Sequence, residues 1–392
     1  MTQRHHLLAF SALSASYFAH IGFFNPYLPL WLKDLGFSLL AISVLTSVQS
    51  ATRLFAPYGW GWLSDHTGDR VRLLRYGATA ALVVSLGLWF DLGMTGVFVV
   101  LLLMFAHTSG MMPMSEAALA AVVSREGAFD AARYGRVRVW GSLGFLVTVV
   151  LAGAWFEHFG LGGFPGWTLA TLAAVALSAW ALPSAREPVV PVHERARIAP
   201  VLRQRRVRWF FAAVFFHILA HIFIYIFLSL YLDSLGYSKT VIGLLWALSV
   251  AIEVAWFFTQ GRWLPRLTLP GWLVLAAALM ALRMGMTAGW PQVVGVLVLA
   301  QALHAITFAA HHTVCIAWIT AHFPGTLRGR GQALYTVVGY GLPGVVGGVG
   351  GGLLSSAAGL ASVFWLAAAC AVVAAMCALR LWALQRRFGA RG

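Results

Sequence analysis

The sequence predicts an all-α integral membrane protein: twelve transmembrane helices in two pseudo-symmetric six-helix bundles. Three observations carry this. Of 392 residues, 60% are hydrophobic and 10% charged. Soluble domains carry about 25% charged residues, so this chain lacks the polar groups to cover a water-facing surface. The apolar residues also fall into long runs, and the block at 25–75 recurs 200 residues later.

A bilayer core takes about 20 apolar residues of helix. Runs of that kind lie near 7–32, 38–63, 73–92, 96–123, 138–159, 166–183, 209–232, 239–264, 270–288, 291–321, 331–355 and 360–384. They are too long for strands and lack period-two alternation, and an open sheet would leave backbone groups unpaired in lipid. The first run is too long for a secretory leader and has no small-residue cleavage site, so it is read as retained. Pro26 and Pro29 within it free backbone carbonyls, which is tolerated where a helix lines a cavity. The eleventh run is glycine-rich from Gly339 to Gly352, which fits a sliding contact or close static packing. Cys315, Cys370 and Cys377 fall inside apolar runs, as packing residues rather than a disulfide framework.

The formal charge of +15 would point to nucleic acid in a soluble protein. Here the basic residues sit in short loops and alternate between sides. One side holds Arg4, then Arg70, Arg72 and Arg75, then Arg125, Arg133, Arg136 and Arg138. It continues with the arginines from Arg186 to Arg208, Arg262 and Arg266, Arg328 and Arg330, and Arg386, Arg387 and Arg391. The other side holds Lys33 and Lys239. The positive-inside rule then places both termini in the cytoplasm, in a bacterial-type inner (plasma) membrane, with no nucleic-acid partner. The polar stretch 184–208 separates bundles at 1–183 and 209–392. It reads as a solvated basic linker with orienting charge, the alternative being contact with anionic membrane lipid.

In the repeat, Leu28, Leu30, Leu32, Leu35, Gly36, Ser38, Ile42, Leu45, Ala51 and Gly61 reappear as Leu228, Leu230, Leu232, Leu235, Gly236, Ser238, Ile242, Leu245, Ala251 and Gly261. The match is gap-free and marks a duplicated half. Arg53 becomes Glu253. Arg53, Glu116, Glu253 and Arg283 all lie inside spans. A charge at mid-membrane costs about 2.5–3.5 kcal/mol on insertion scales, so these four are read as functional or mutually paired. Histidines are also common in the spans: His20, His107, His217, His221, His304, His311 and His312. His304 lies near mid-depth, and histidine titrates near neutral pH. His217 and His221 share a helix face but lack a third ligand, so no metal and no cofactor is expected.

Between the second and third spans, Gly61-Trp-Leu-Ser-Asp65-His-Thr-Gly68-Asp-Arg70-Val-Arg72 resembles the loop signature of the major facilitator superfamily. The resemblance implies a conformational latch: Gly61 for close helix packing, Asp65 as a helix-end acid, Gly68 for the turn, Arg70 and Arg72 as the basic partners. Asp69 stands where the family has its first basic residue, and Pro265 replaces the acid in the second half. Tyr134-Gly135-Arg136-Val137-Arg138-Val139-Trp140-Gly141-Ser142 is similar to the phenylpropionate permease branch, itself related to lactose permease and the oligosaccharide–proton symporters. Ala51-Thr-Arg53-Leu-Phe, Leu303-His304-Ala-Ile-Thr-Phe308 and Gln332-Ala-Leu-Tyr335 resemble that branch too.

The resemblance assigns roles residue by residue. Glu116 matches a substrate-binding acid and Arg138 the arginine paired with it. Glu253 matches the acid linking substrate to proton, Arg283 the arginine beside it, and His304 the associated histidine. Thr307 stands where lactose permease has its proton-carrying acid, which moves that role to Glu253, His304 or Glu116. Arg53 belongs to the phenylpropionate-like branch and is expected to bind substrate with Tyr17 and Asn25. The implied protein is a monomeric secondary transporter, not an enzyme, working by alternating access. It would carry a proton with a small aromatic carboxylate, the anion held by a bidentate Arg53. The alternatives are a sugar or nucleoside symporter and a drug or metabolite exporter.

Overall fold

The computed structural model describes residues 3–123, 131–183, 198–323 and 327–389. Residues 184–197, most of the expected linker, lie outside them. Twelve helical spans are long and apolar enough to cross a membrane. They are α1 (His6–Asp34), α2 (Leu39–Ser64), α3 (Arg70–Trp89), α4 (Gly93–Leu119), α5 (Arg133–Phe159) and α6 (Leu161–Trp180). The second set is α7 (Arg205–Ser234), α8 (Lys239–Arg266), α9 (Leu269–Gly289), α10 (Val294–His322), α11 (Leu327–Ala358) and α12 (Leu360–Arg386). No strand occurs among the described residues. Phe258 and Leu177 are 76% and 73% exposed. On a soluble protein such side chains would be liabilities; on a membrane span they meet lipid.

The duplicated block folds the same way twice. Gly36 and Gly236 both adopt left-handed backbone, with φ of +84° and +86°. Phe37 N donates to Leu32 O at 3.1 Å, and Tyr237 N to Leu232 O at 3.1 Å. Each bond satisfies a carbonyl that the preceding helix leaves open. Ser38 Oγ then caps Ala41 N at 3.3 Å, and Ser238 Oγ caps Val241 N at 3.2 Å. Glycine is required because a Cβ clashes in this backbone region, and serine because its hydroxyl accepts from the first helical turn.

Small residues set the tight helix contacts. A Cβ on Gly22 would meet the Phe145 backbone at 2.7 Å, and one on Gly141 would meet the Phe18 ring at 2.7 Å. These glycines let α1 and α5 approach closely. In the other half, Cβ atoms on Gly347 and Gly351 would meet Ile222 at 3.0 Å and Phe227 at 2.6 Å, so α11 packs directly on α7. The glycine run in α11 therefore makes close packing at these positions. Helix α1 runs unbroken through Pro26 and Pro29. Each ring removes one i→i−4 bond, leaving the carbonyls of Gly22 and Asn25 without their helical donors.

The chain divides into two compact units, Met1–Pro191 with Ser238–Ala247, and Val192–Tyr237 with Leu248–Gly392. The start of α8 thus groups with the first unit. Its Lys239 N donates to Glu157 Oε2 at 2.6 Å, and Tyr27 Oη donates to Lys239 O at 3.1 Å. Gly243 leaves room for the approach: a Cβ there would lie 2.5 Å from Tyr27 Oη.

Candidate functional site

Each unit carries one cluster of ionisable side chains. In the first, Glu116 on α4 and Arg138 on α5 form an ion pair at 3.3 Å, with side chains 38% and 39% exposed. Tyr134, one turn before Arg138, hydrogen-bonds both partners. The Arg138 guanidinium also lies over the Phe18 ring, 4.7 Å from its centroid. Tyr17 belongs to the same neighbourhood. Its phenol feels the charges of Arg53, Glu116 and Arg138 and donates to Thr108 O at 3.3 Å.

Arg53 does not sit within an uninterrupted helix. α2 breaks at residues 53–55 and restarts at Ala56. Pro57 explains the break: it has no amide to give the Arg53 carbonyl, and its ring crowds that carbonyl. Leu54 N turns back to Ala51 O at 3.0 Å and Phe55 N to Thr52 O at 3.2 Å. The arginine is thus presented from a broken helix, as irregular backbone in a membrane is where it serves a cavity or protein interior. Asn25 lies apart from this group. Its Oδ1 accepts from Gln49 Nε2 at 3.3 Å, about 12 Å along α1 from Tyr17 at 1.5 Å per residue.

The second cluster is more enclosed. His304 Nε2 lies 3.1 Å from Glu253 Oε2. Arg283, 1% exposed, donates from Nη1 to His304 Nδ1 at 3.2 Å and to Thr307 Oγ1 at 3.1 Å. From Nη2 it donates to Gln301 Oε1 at 2.8 Å. Ser249 Oγ donates to the same oxygen at 2.7 Å. This network fixes a tautomer. A guanidinium only donates, so His304 Nδ1 is the accepting nitrogen. The ring proton of the neutral imidazole is then on Nε2 and points at the Glu253 carboxylate. A second proton on His304 would need Nδ1, and so requires Arg283 to move away.

Helix geometry aligns these groups. Residues 305–310 form a π-helical turn in α10, a feature that often marks functional positions. The widened turn stacks His304 on Phe308, with ring planes 13° apart. Thr307, in place of the expected acid, gives its hydroxyl to Arg283 and its carbonyl to His217 Nε2, 2.7 Å away. His217 also stacks on His311 at 3.8 Å. Among the described residues no group of three or more His, Cys, Asp or Glu is arranged to hold a metal.

Several sequence expectations acquire different physical content here. Gly61 was expected to permit close helix packing, yet a Cβ there would meet nothing within 4 Å. Gly68 makes the turn as expected, with φ of +63° as the C-cap of its helix. The Asp65 side chain lies outside the described residues. Asp69, the departure from the family pattern, caps the next helix by accepting from Arg72 N at 3.0 Å. Arg70 Nε reaches Ser64 Oγ at 3.1 Å, while Arg72 Nε donates to Tyr76 Oη on its own helix at 3.0 Å. His107, one of the span histidines, is tied to Leu103 O of its own helix. Sequence reasoning missed Gln301, Ser249 and Tyr134 as partners. The need of a buried arginine for several acceptors was the signal for Gln301; Ser249, which donates to Gln301, carried no such signal.

A family model described as the MFS_1 like family matches residues 8–366. The chain is 27% identical over 334 residues to a probable 3-phenylpropionic acid transporter of Escherichia coli (strain K12), covering 83% of this chain and 85% of that one. It is 26% identical over 376 residues to the maltose permease of Geobacillus stearothermophilus, covering 95% and 93%. Among solved structures, a mutant of the nucleoside transporter NupG superposes with a TM-score of 0.85 at 16% identity, over 96% of this chain and 99% of that one. A POT family transporter in complex with 5-aminolevulinic acid superposes with a TM-score of 0.76 at 12% identity, over 94% of each chain. These structures share the fold.

Proposed function

Because the chain belongs to the MFS_1 like family, a family of multi-pass membrane transporters, we propose that it is a proton-coupled symporter of a small aromatic carboxylate. The observation that carries the coupling half of this reading is the Arg283–His304–Glu253 chain. It sets an acceptor carboxylate against a histidine whose second nitrogen is occupied by a buried arginine. A proton arriving at Glu253 removes the charge that His304 Nε2–H faces and lets the arginine network rearrange. Protonation thereby changes the whole hydrogen-bonded unit around Arg283, the kind of two-state element that a coupled proton would bias. Glu116, paired directly with Arg138 and more exposed, serves substrate rather than the proton.

For the substrate, support comes from Arg53 at the helix break, from Tyr17, which feels its charge, and from the likeness to the phenylpropionic acid transporter. A guanidinium holds a carboxylate through two parallel N–H···O bonds. The two halves then alternate the site's access, using the duplicated architecture, with both termini in the cytoplasm. The competing reading is a sugar or nucleoside symporter, favoured by the 95% coverage of the match to maltose permease and by the fold shared with NupG. A thermal-shift screen on purified protein separates them. The expected result is stabilisation by 3-phenylpropionate and not by maltose or uridine. Stabilisation by maltose or uridine alone rejects the carboxylate assignment.

A further inference from the structure

The basic end of α7 carries a feature that transport does not use. An open surface groove of about 340 Å3 is lined by Arg205, Arg208, Trp209 and Ala212. These residues, with Phe216 further along, fall within about 100° of the helix circumference at 100° per residue. Trp209 is 36% exposed, and Phe216 is half-buried against Phe215, rings 5.3 Å apart. From Arg205 to Phe216 the stripe runs about 16 Å along the axis, changing from cationic to aromatic to apolar. Ala212 leaves the middle of the stripe unobstructed. No acidic residue occurs between 198 and 232. Arg206, off this face, is turned to Gln204, with Nε donating to Oε1 at 3.0 Å.

We propose that this face binds the headgroup of an anionic phospholipid, with the phosphodiester on Arg205 and Arg208 and the acyl chain over Ala212 and Phe216. The order of chemistry along the stripe follows that of a phospholipid: phosphate, glycerol interface, hydrocarbon. Paired guanidiniums suit a phosphate, which accepts bidentate bonds. Tryptophan is favoured at the interfacial level. A simple orienting charge does not need the one-sided arrangement beside a groove, since Lys and Arg anywhere in the loop serve that purpose.

Native mass spectrometry of the full chain in mild detergent, titrated with dioleoylphosphatidylglycerol, tests this. Wild type should retain bound lipid, and Arg205→Gln with Arg208→Gln should weaken retention about 10²–10⁴-fold, the loss of one charge-assisted contact from each guanidinium. Arg203→Gln with Arg206→Gln removes the same charge off the face and should leave retention unchanged. Arg205→Lys with Arg208→Lys keeps charge and fold and should weaken retention by less than the glutamine pair. Equal losses from the two glutamine pairs would overturn the site in favour of diffuse surface charge. Equal retention of phosphatidylcholine would also overturn it. Displacement of the lipid by millimolar inorganic phosphate would show a free-phosphate site instead.

Discussion

Arg53→Ala should lower uptake of 3-phenylpropionate about 10²–10⁴-fold, the loss of two hydrogen bonds to a charged group at about 1.5–3 kcal/mol each. Arg53→Lys should fall between, because it keeps the charge and loses the planar fork. The measurement is initial uptake of labelled acid into cells or proteoliposomes at matched protein content. Arg53 stands at the α2 break forced by Pro57, outside regular helix, so its truncation should disturb the fold little. Any maltose or nucleoside transport should survive the substitution. Retained acid uptake in Arg53→Ala would remove the anchor role. Equal loss of acid and sugar uptake would point to a structural one.

Glu253→Gln should separate exchange from accumulation. Glutamine keeps an oxygen to accept from His304 Nε2–H, 3.1 Å away in the native pair, but it cannot take up a proton. An anion moving with one proton is electroneutral, so the pH gradient alone drives it. One pH unit is about 1.4 kcal/mol, or about tenfold accumulation. Wild type should therefore concentrate 3-phenylpropionate about tenfold per pH unit. The variant should show no pH-driven uptake above that of protein-free liposomes while still exchanging labelled for unlabelled acid. Uphill accumulation by the variant would place the proton on another group.

Much of the fold is legible in the sequence because membrane helices are specified locally. Length and apolarity fix the spans, and the Gly36 and Gly236 turns follow from residues within a few positions. The break at Arg53 was also written locally, in Pro57, but an apolar run hides it: hydropathy does not register a missing amide. The site was legible only in its charges. Glu116, Arg138, Glu253, Arg283 and His304 stand out because charge in a span is rare. Gln301, Ser249 and Thr307 do not stand out, since a neutral polar residue in a helix is as often self-satisfied as shared. Their part appears only when the buried Arg283 guanidinium finds the Gln301 amide oxygen on α10, which also accepts from Ser249 on α8. The π-helical turns at 305–310 and 337–341 likewise leave no mark in the hydropathy of their spans.

The most direct test is substrate-driven proton movement in proteoliposomes, followed with a pH-sensitive dye. Liposomes carrying the Arg53→Ala protein correct for passive entry of the acid. The account predicts that 3-phenylpropionate moves protons inward above that background, and that maltose and uridine do not. Proton movement driven by maltose or uridine and not by the acid, or uptake of the acid with no accompanying protons, would contradict it.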